Sequence, residues 1–250
     1  MRRSNPVLIT LAMLALFSLN LFAPALYSAR PSGNWYVATI GNDLNDCVTP
    51  STPCATINGA IEKAAGGDTI KVATAIYVGG DIEVVSIHKD ITLSGGWNSS
   101  FTQQIGTSII DGQGVRAGIA VYYDWAPATA IIERFTIQNG RTVPYSTSSG
   151  GISVGGNLVL NNSSILNNVS VYGGGGIHNL GVTTINNSTI SANLAQFSSG
   201  GGILNWHAWD GGGILSLNNV TLADNKADGE GGGIANPPGA RYESYSVPTH

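Results

Sequence analysis

Gly174-Gly-Gly-Ile-His-Asn179, Gly200-Gly-Gly-Ile-Leu-Asn205 and Gly231-Gly-Gly-Ile-Ala-Asn236 are three copies of one hexapeptide. Measured at the isoleucine, Ile152 (in a degenerate copy), Ile177, Ile203 and Ile234 stand 25, 26 and 31 residues apart. A second block follows each copy except the last: Asn161-Asn162-Ser-Ser-Ile165, Asn186-Asn187-Ser-Thr-Ile190 and Asn218-Asn219-Val-Thr-Leu222. Each block closes three residues later on Asn168, Asn193 or Asn225. Two blocks recurring in constant order at a period near 25 residues indicate a solenoid, in which one supersecondary unit stacks on the next.

The residue types decide which solenoid. Each apolar stretch is two to five residues long, β-branched, and bounded by Gly or Asn, which suits short strands joined by tight turns. Leucine-rich repeats would need more Leu, and helical repeats would need long runs of Ala, Glu and Lys. If each period is one coil, Leu160, Ile185 and Leu217 form one inward column and Ile165, Ile190 and Leu222 another, with successive residues of a column stacked about 4.8 Å apart. The doubled asparagines Asn161 and Asn162, Asn186 and Asn187, Asn218 and Asn219 would stack as well. Asn tolerates the left-handed backbone region, and its amides can bond along a stack. The triplet Gly174, Gly175, Gly176 and its copies would fill a corner that has no room for a Cβ. The expectation is an all-β, parallel β-helix solenoid.

Composition agrees. Of 250 residues 34 are Gly, 22 are Asn and two are Met, and only 10% are charged. That excludes a helical bundle, a coiled coil and a highly charged disordered chain. Upstream, Asp68–Tyr77 alternates Ile70 and Val72 with polar neighbours, Ile91-Thr-Leu93 does likewise, and Phe135-Thr-Ile137-Gln-Asn139 is a looser copy of the later block. Between Ala55 and Ala65, Ala60, Ile61 and Ala64 share one helical face before Gly66-Gly67. This predicts a short amphipathic helix capping the first coil, since a repeat array must cover its ends. The organisation read from the chain is a leader over 1–29, an N-terminal cap over 30–67, the β-helix over 68–236 and an irregular tail over 237–250.

Arg2 and Arg3 precede an apolar run from Pro6 to Ala23, followed by Ala23-Pro24-Ala25. The order basic, apolar, small is that of a secretory signal peptide, with cleavage expected after Ala25 or Ala29 and a secreted or cell-surface location. An uncleaved anchor is the alternative. The run is broken by Thr10, Ser18 and Asn20 and barely reaches bilayer length. Cleavage would leave 9 basic and 15 acidic residues, a balance that argues against nucleic acid or an anionic membrane surface as partner. Cys47 and Cys54 bracket Val-Thr-Pro-Ser-Thr-Pro, and export would close them into a local disulfide. Free thiols or half a metal site are the alternatives, but no His or third Cys stands near enough to complete a metal site.

Val37-Ala-Thr-Ile-Gly41, Cys54-Ala-Thr-Ile57, Gly67-Asp-Thr-Ile70 and the glycine-asparagine repeats resemble secreted bacterial right-handed parallel β-helix proteins of the pectin-lyase-like superfamily, in its surface-protein branch. The resemblance spans roughly Trp35 to Asn236. The repeats are also similar to the GGAI and FxxN motifs of polymorphic outer-membrane adhesins, with Ile165-Leu-Asn-Asn168, Ile190-Ser-Ala-Asn193 and Leu222-Ala-Asp-Asn225 in place of the Phe form. It implies a right-handed solenoid, and either surface adhesion or polysaccharide cleavage. Ile110-Asp111-Gly-Gln-Gly114 is similar to a polygalacturonase segment that serves there as a structural turn.

Cleavage needs an acid–base constellation, and none stands out. The chain lacks Asn-x-Asp, Asp-Asp, Gly-His-Gly and Arg-Ile-Lys. Glycoside hydrolysis requires paired carboxylates, and a calcium-dependent lyase requires clustered acids plus a base. After Arg141 the acids are Asp210, Asp224, Asp228, Glu230 and Glu243 alone. Asp81, Glu83, His88, Lys89 and Asp90 crowd ten residues and read as a polar strand edge and turn. His178 shares its repeat position with Leu204 and Ala235, which reads as a tolerant outward site. The expectation is therefore a non-catalytic protein without cofactor or metal, with a divergent lyase or hydrolase as the alternative.

The repeat is interrupted once. From Asn179 to Asn186 is 7 residues, but from Asn205 to Asn218 is 13. The six extra residues fall around Trp206-His207-Ala208-Trp209-Asp210, and Trp206, His207, Trp209 and Asp210 are the ligand-contact candidates for a polysaccharide or cell-surface glycan. Packing of the indoles back onto the coil is the other reading. After Asn236 comes Pro237-Pro238-Gly-Ala-Arg-Tyr-Glu-Ser-Tyr-Ser-Val-Pro-Thr-His250, without the doubled asparagine or the Ser-Thr-Ile strand. The expectation is a last coil that does not close and an open edge prone to edge-to-edge self-association. Either the chain is a fragment of a longer protein or the tail wraps back over the end.

Overall fold

The computed structural model describes residues 32–124, 126–142, 149–206, 213–236 and 241–246; the leader expected over 1–29 lies outside them. The described chain is all-β, with one short helix at Ile57–Lys63. Its strands form sheets of twelve, six and three strands. Neighbouring strands run parallel throughout these sheets, as in Val159↔Thr184↔Ser216, Ile152↔Ile177↔Ile203 and Val169↔Leu194↔Lys226.

One period shows the path. From Asn157–Asn161 the chain bends at Asn162 and continues as Ser164–Leu166 in the same large sheet. It then supplies Val169–Ser170 to the three-stranded sheet and Ile177–Asn179 to the six-stranded sheet. It returns with Val182 beside Asn157, 25 residues on. Long parallel sheets visited in a fixed order are compatible with a β-helical solenoid. The interior is a set of aliphatic columns: Leu160, Ile185 and Leu217; Ile165 and Ile190; Ile119, Ile152, Ile177 and Ile203, all buried and in register. Each such side chain contributes about 1.5–3 kcal/mol by leaving water.

The bend is built by the second asparagine of each pair. Asn162, Asn187 and Asn219 have φ of 48°, 49° and 53°, a region Asn enters at less cost than most residues. Amide contacts here are pairwise and near the surface: Asn186 Nδ2 donates to Asn161 Oδ1 (2.9 Å), and Asn219 Nδ2 to Asn187 Oδ1 (2.9 Å). The longer, more deeply placed ladders belong to the closing asparagines. Asn168 Nδ2 donates to Asn193 Oδ1, and Asn193 Nδ2 to Asn225 Oδ1, each at 2.9 Å. Asn179 Nδ2 donates to Asn205 Oδ1 (2.7 Å), and Asn205 Nδ2 to Asn236 Oδ1 (2.9 Å).

His178 departs from its expected outward position. His178, Leu204 and Ala235 are register partners, but only 7%, 2% and 6% exposed. The glycine turns cover them: Gly174 lies against the Ile177 carbonyl and the Leu204 nitrogen, and Gly200 against Ile203 and Leu204. A side chain on this strand therefore meets backbone on the face where an outward residue of a simple strand would meet water.

The N-terminal edge is closed by local chemistry. Cys47 and Cys54 form a disulfide with Cα atoms 5.1 Å apart. Their loop pairs with the outer edge of strand Asn34–Val37: Tyr36 N–H donates to the Cys47 carbonyl, and Cys54 N–H to the Tyr36 carbonyl. Thr56 caps the helix by accepting from Gly59 N–H (3.0 Å). Lys89 Nζ reaches the Ile61 and Ala64 carbonyls (3.1 and 3.0 Å) at the helix C-terminus, where a cation is favoured.

At the other end the structure differs from the expected irregular tail. Arg241–Ser246 is a strand pairing in parallel with Ile214–Asn218, with a register shift between Leu215 and Leu217. Parallel pairing uses backbone groups, so a Tyr- and Ser-rich segment can add a strand without the repeat's own letters. Leu215 and Leu217, both buried, lie on the strand this segment covers. Deleting residues 237–250 removes that cover. The shortened chain is expected to sediment as dimers or larger species at micromolar concentrations where the parent does not; unchanged sedimentation would show that the exposed edge is harmless.

Candidate functional site

The corner between the six-stranded sheet and the large sheet varies in length from pass to pass, as does the bend inside the large sheet, which takes residues 98–107 in one coil and Arg134 alone in the next. Between the six-stranded sheet and the large sheet, successive passes use residues 88–90, 122–128, 155–156, 180–181 and 206–213. Backbone bonds align them: Tyr122 N–H donates to the Ile87 carbonyl, Gly155 N–H to Val121, Leu180 N–H to Val154 and Trp206 N–H to Asn179, at 2.8–2.9 Å. His88, Tyr122, Gly155, Leu180 and Trp206 therefore occupy one column. Tyr122 and Trp206 are three coils apart, about 14 Å at the usual strand spacing.

Both long corners are closed at the neck. Ala128 N–H donates to the Tyr122 carbonyl (3.2 Å) and Gly213 N–H to the Trp206 carbonyl (2.8 Å). The strands on either side of the second neck stay in register with the preceding coil, Asn179↔Asn205 and Val182↔Ile214. The extra residues are therefore 207–212. His207, Trp209 and Asp210 fall there, outside the described residues, and so does Trp125 of the first corner.

Between the necks the floor is low. A Cβ on Gly156 would overlap the Ala128 carbonyl, and one on Gly181 the Gly156 carbonyl. The side chains offered to solvent around this floor are Tyr123 (63% exposed), Leu180 (37%) and Trp206 (46%). The two aromatic corners stand three coils apart, with the short glycine-containing corners 155–156 and 180–181 between them.

The first wall carries polar chemistry. The His88 ring stacks on Tyr122, with centroids 4.0 Å apart and planes 8° from parallel. His88 Nδ1 is 2.9 Å from Asp124 Oδ2. A carboxylate there favours the tautomer protonated at Nδ1, leaving Nε2 as an acceptor. Tyr122 OH donates to Glu83 Oε1 (3.2 Å). The Tyr122 hydroxyl is pushed up to about 12, first by burial, then by the charge and hydrogen bond of Glu83, and then by Asp124.

The charged run from Asp81 to Asp90 is dispersed by the fold. Lys89 caps the helix, Asp90 accepts from Thr129 N–H (2.8 Å), Glu83 is buried behind Tyr122, and His88 joins Tyr122 and Asp124. Asp111 serves its turn, accepting from Gln113 N–H, Gln138 and Asn139. Burial opposes its ionisation, but these hydrogen bonds outweigh that and hold its carboxyl below the usual range.

The sequence reading named Trp206 as a contact candidate and did not name Tyr122, Tyr123 or Asp124, which the structure places at the same corner. The register exposes the difference in length: Ile119 to Ala130 spans 11 residues, whereas the equivalent Ile152 to Leu158 spans 6. Among the described residues no group of three or more His, Cys, Asp and Glu is placed to hold a metal ion, and no helix is long and apolar enough to cross a membrane. Compared with family models, curated proteins and solved structures, the chain finds no match.

Proposed function

We propose that this chain is a secreted or surface-displayed, non-catalytic right-handed parallel β-helix that binds a glycan strand across the corner between Tyr123 and Trp206. The carrying observation is that two exposed aromatic side chains, Tyr123 and Trp206, stand at one corner of the coil, three coils apart, with glycine-containing corners between them. Aromatic faces suit the apolar faces of sugar rings, and two such faces three coils apart suit a strand better than a compact ligand. Right-handedness is supported by the parallel path, because crossover connections between parallel strands are right-handed in about 98% of cases. Together with the glycine-asparagine repeats it supports a pectin-lyase-like lineage. Export is supported by the Cys47–Cys54 disulfide and by the basic-apolar-small leader. The acidic balance disfavours nucleic acid as partner, and this reading needs no cofactor.

The test is the double variant Trp206→Ala with Trp209→Ala against a panel of soluble and insoluble polysaccharides. Retention should fall at least tenfold relative to the parent, with an unchanged far-ultraviolet spectrum. If the variant binds as well as the parent, the insertion is structural and the reading fails. The His88–Asp124 pair favours one second reading, a divergent polysaccharide lyase or hydrolase using His88 Nε2 as a base. Release of unsaturated or reducing sugars that disappears in His88→Ala would establish it.

A further inference from the structure

We infer that the three-stranded sheet is a two-fold docking face for a second copy of this chain. Its outward column runs Arg141, Val169, Leu194, Lys226, one residue per coil. Two residues earlier on each coil is a left-handed turn residue, Asn167, Ala192 or Asp224, with φ of 56°, 54° and 53°. Here lies an open groove of about 560 Å³, whose lining includes Asn167, Val169, Ala192, Leu194, Asp224 and Lys226. On the other side of the column, Gln196 N–H donates to the Ser170 carbonyl and Asp228 N–H to the Ala195 carbonyl. That alignment puts Tyr172 and Phe197 on successive coils, 58% and 81% exposed.

Phe197 is the residue its own chain does not account for. Its φ is 51°, in the left-handed region that a bulky side chain seldom enters. Phe101 shares that conformation at φ 56°, but it is 6% exposed and meets Tyr36 edge-on, with ring centroids 5.0 Å apart. Phe197 carries the same backbone strain without burial. A strained, exposed aromatic is a contact anchor in search of a pocket. The groove is on the same face, but about four residues away along the strands, roughly 13 Å, so the ring cannot fold into it.

The charges make the face self-complementary. Arg141 begins the column, and on its last coil Lys226 is outnumbered by Asp224, Asp228 and Glu230, all of them exposed. Asp228 Oδ2 accepts from Phe197 N–H (3.0 Å), which keeps this acid beside the aromatic anchor. The segment Val143-Pro-Tyr-Ser-Thr-Ser148 after Arg141 holds no Asp, Glu, Lys, Arg or His, so it adds nothing to this pattern. A two-fold axis normal to the sheet reverses both directions on it. Centred one residue past the Val169–Leu194 column, it lays Phe197 and Tyr172 of each copy into the groove of the other. The same rotation sets Arg141 of each copy against Asp228 and Glu230 of its partner. Anchor, groove, basic end and acidic end thus lie where a two-fold exchange needs them, and such a contact closes at two copies.

The patch is small, so the expected dimer is weak, with a Kd of about 0.1–1 mM. Sedimentation velocity of the full exported chain should show monomer at about 0.02 mM and a shift to dimer, with nothing larger, at about 1 mM. Phe197→Asn, which suits the left-handed backbone, should weaken the dimer at least tenfold while the thermal midpoint stays the same or rises. Arg141→Glu, which leaves the aromatic anchor in place, should weaken it at least threefold at about 0.01 M salt and less at about 1 M. A chain still monomeric at about 1 mM overturns the proposal. So does a dimer that either variant leaves as tight as the parent, because another surface then joins the copies. Growth past two copies also overturns it, since an open strand edge and not a two-fold face produces that.

Discussion

Asn193→Leu is expected to lower the unfolding free energy by about 3–5 kcal/mol, read as a shift of the urea midpoint with an unchanged slope. Asn193 is fully buried and is the middle rung of an amide ladder. Its Oδ1 accepts from the Asn168 backbone N–H (3.0 Å) and from Asn168 Nδ2 (2.9 Å). Its Nδ2 donates to the Ile165 carbonyl (3.0 Å) and to Asn225 Oδ1 (2.9 Å). Leucine has a similar volume and satisfies none of these groups. The buried Asn168 N–H loses the partner shown here, at about 1–3 kcal/mol, while the Ile165 carbonyl, Asn168 Nδ2 and Asn225 Oδ1 each lose one bond and keep another, at about 0.5–1.5 kcal/mol apiece. The comparison is Asn187→Gly at the exposed bend. Its φ of 49° suits glycine, and only the surface contact from Asn219 Nδ2 is lost, so the change should stay within about 1 kcal/mol. Equal losses in the two variants would show that the buried ladder is no more important than the surface pairs.

That contrast also marks how far the chain could be read by itself. The columns Leu160–Ile185–Leu217 and Ile165–Ile190–Leu222 were legible because a parallel stack repeats its inward positions at a fixed period, and the register pairs those same residues. Which asparagines form the deep ladder was not legible. Doubled and closing asparagines recur with equal regularity, and burial is set by which side of the bend each side chain takes. The burial of His178 was hidden for a similar reason: its cover is the Gly174 turn of its own coil and the Gly200 turn of the next. At the corner, Trp206 was visible as an interruption of a strict repeat. Tyr122 and Asp124 were not, because the early coils are too degenerate to define a period. The link from His88 to Asp124 spans 36 residues, and only stacking of one coil on the next creates it. The strand Arg241–Ser246 was missed by a search for repeat letters, although pairing needs only a free edge and compatible residues.

Gly175→Ala is expected to destabilise by about 3 kcal/mol or more, although it adds a single methyl group and requires no unusual backbone angle. A Cβ at Gly175 would lie 2.6 Å from the Leu194 carbonyl carbon, 2.7 Å from the Leu194 nitrogen, and in overlap with the Gly201 carbonyl oxygen. All three are backbone atoms of the next coil, so no side-chain rotation relieves the contact. The two coils must separate locally, and the buried bonds from Gly175 N–H to the Gly200 carbonyl (3.1 Å) and Gly176 N–H to the Gly201 carbonyl (3.0 Å) must stretch with them. Overpacking usually costs about 1–3 kcal/mol, and loss of paired backbone groups adds to it. Gly66→Ala is the control, because nothing lies within 4 Å of its Cβ position. That change should be neutral, or stabilising by about 0.4–1 kcal/mol through the unfolded chain. Gly201 repeats the predicament one coil on, against the Lys226 and Gly232 carbonyls. The double variant Gly175→Ala with Gly201→Ala tests whether the stack yields as a unit. Once the coils on one side of Gly201 have parted, its own methyl group meets less resistance, so the double loss should fall short of the sum of the single losses. Strict additivity would mean that each coil absorbs its strain alone, and that the glycine triplets are independent local fits.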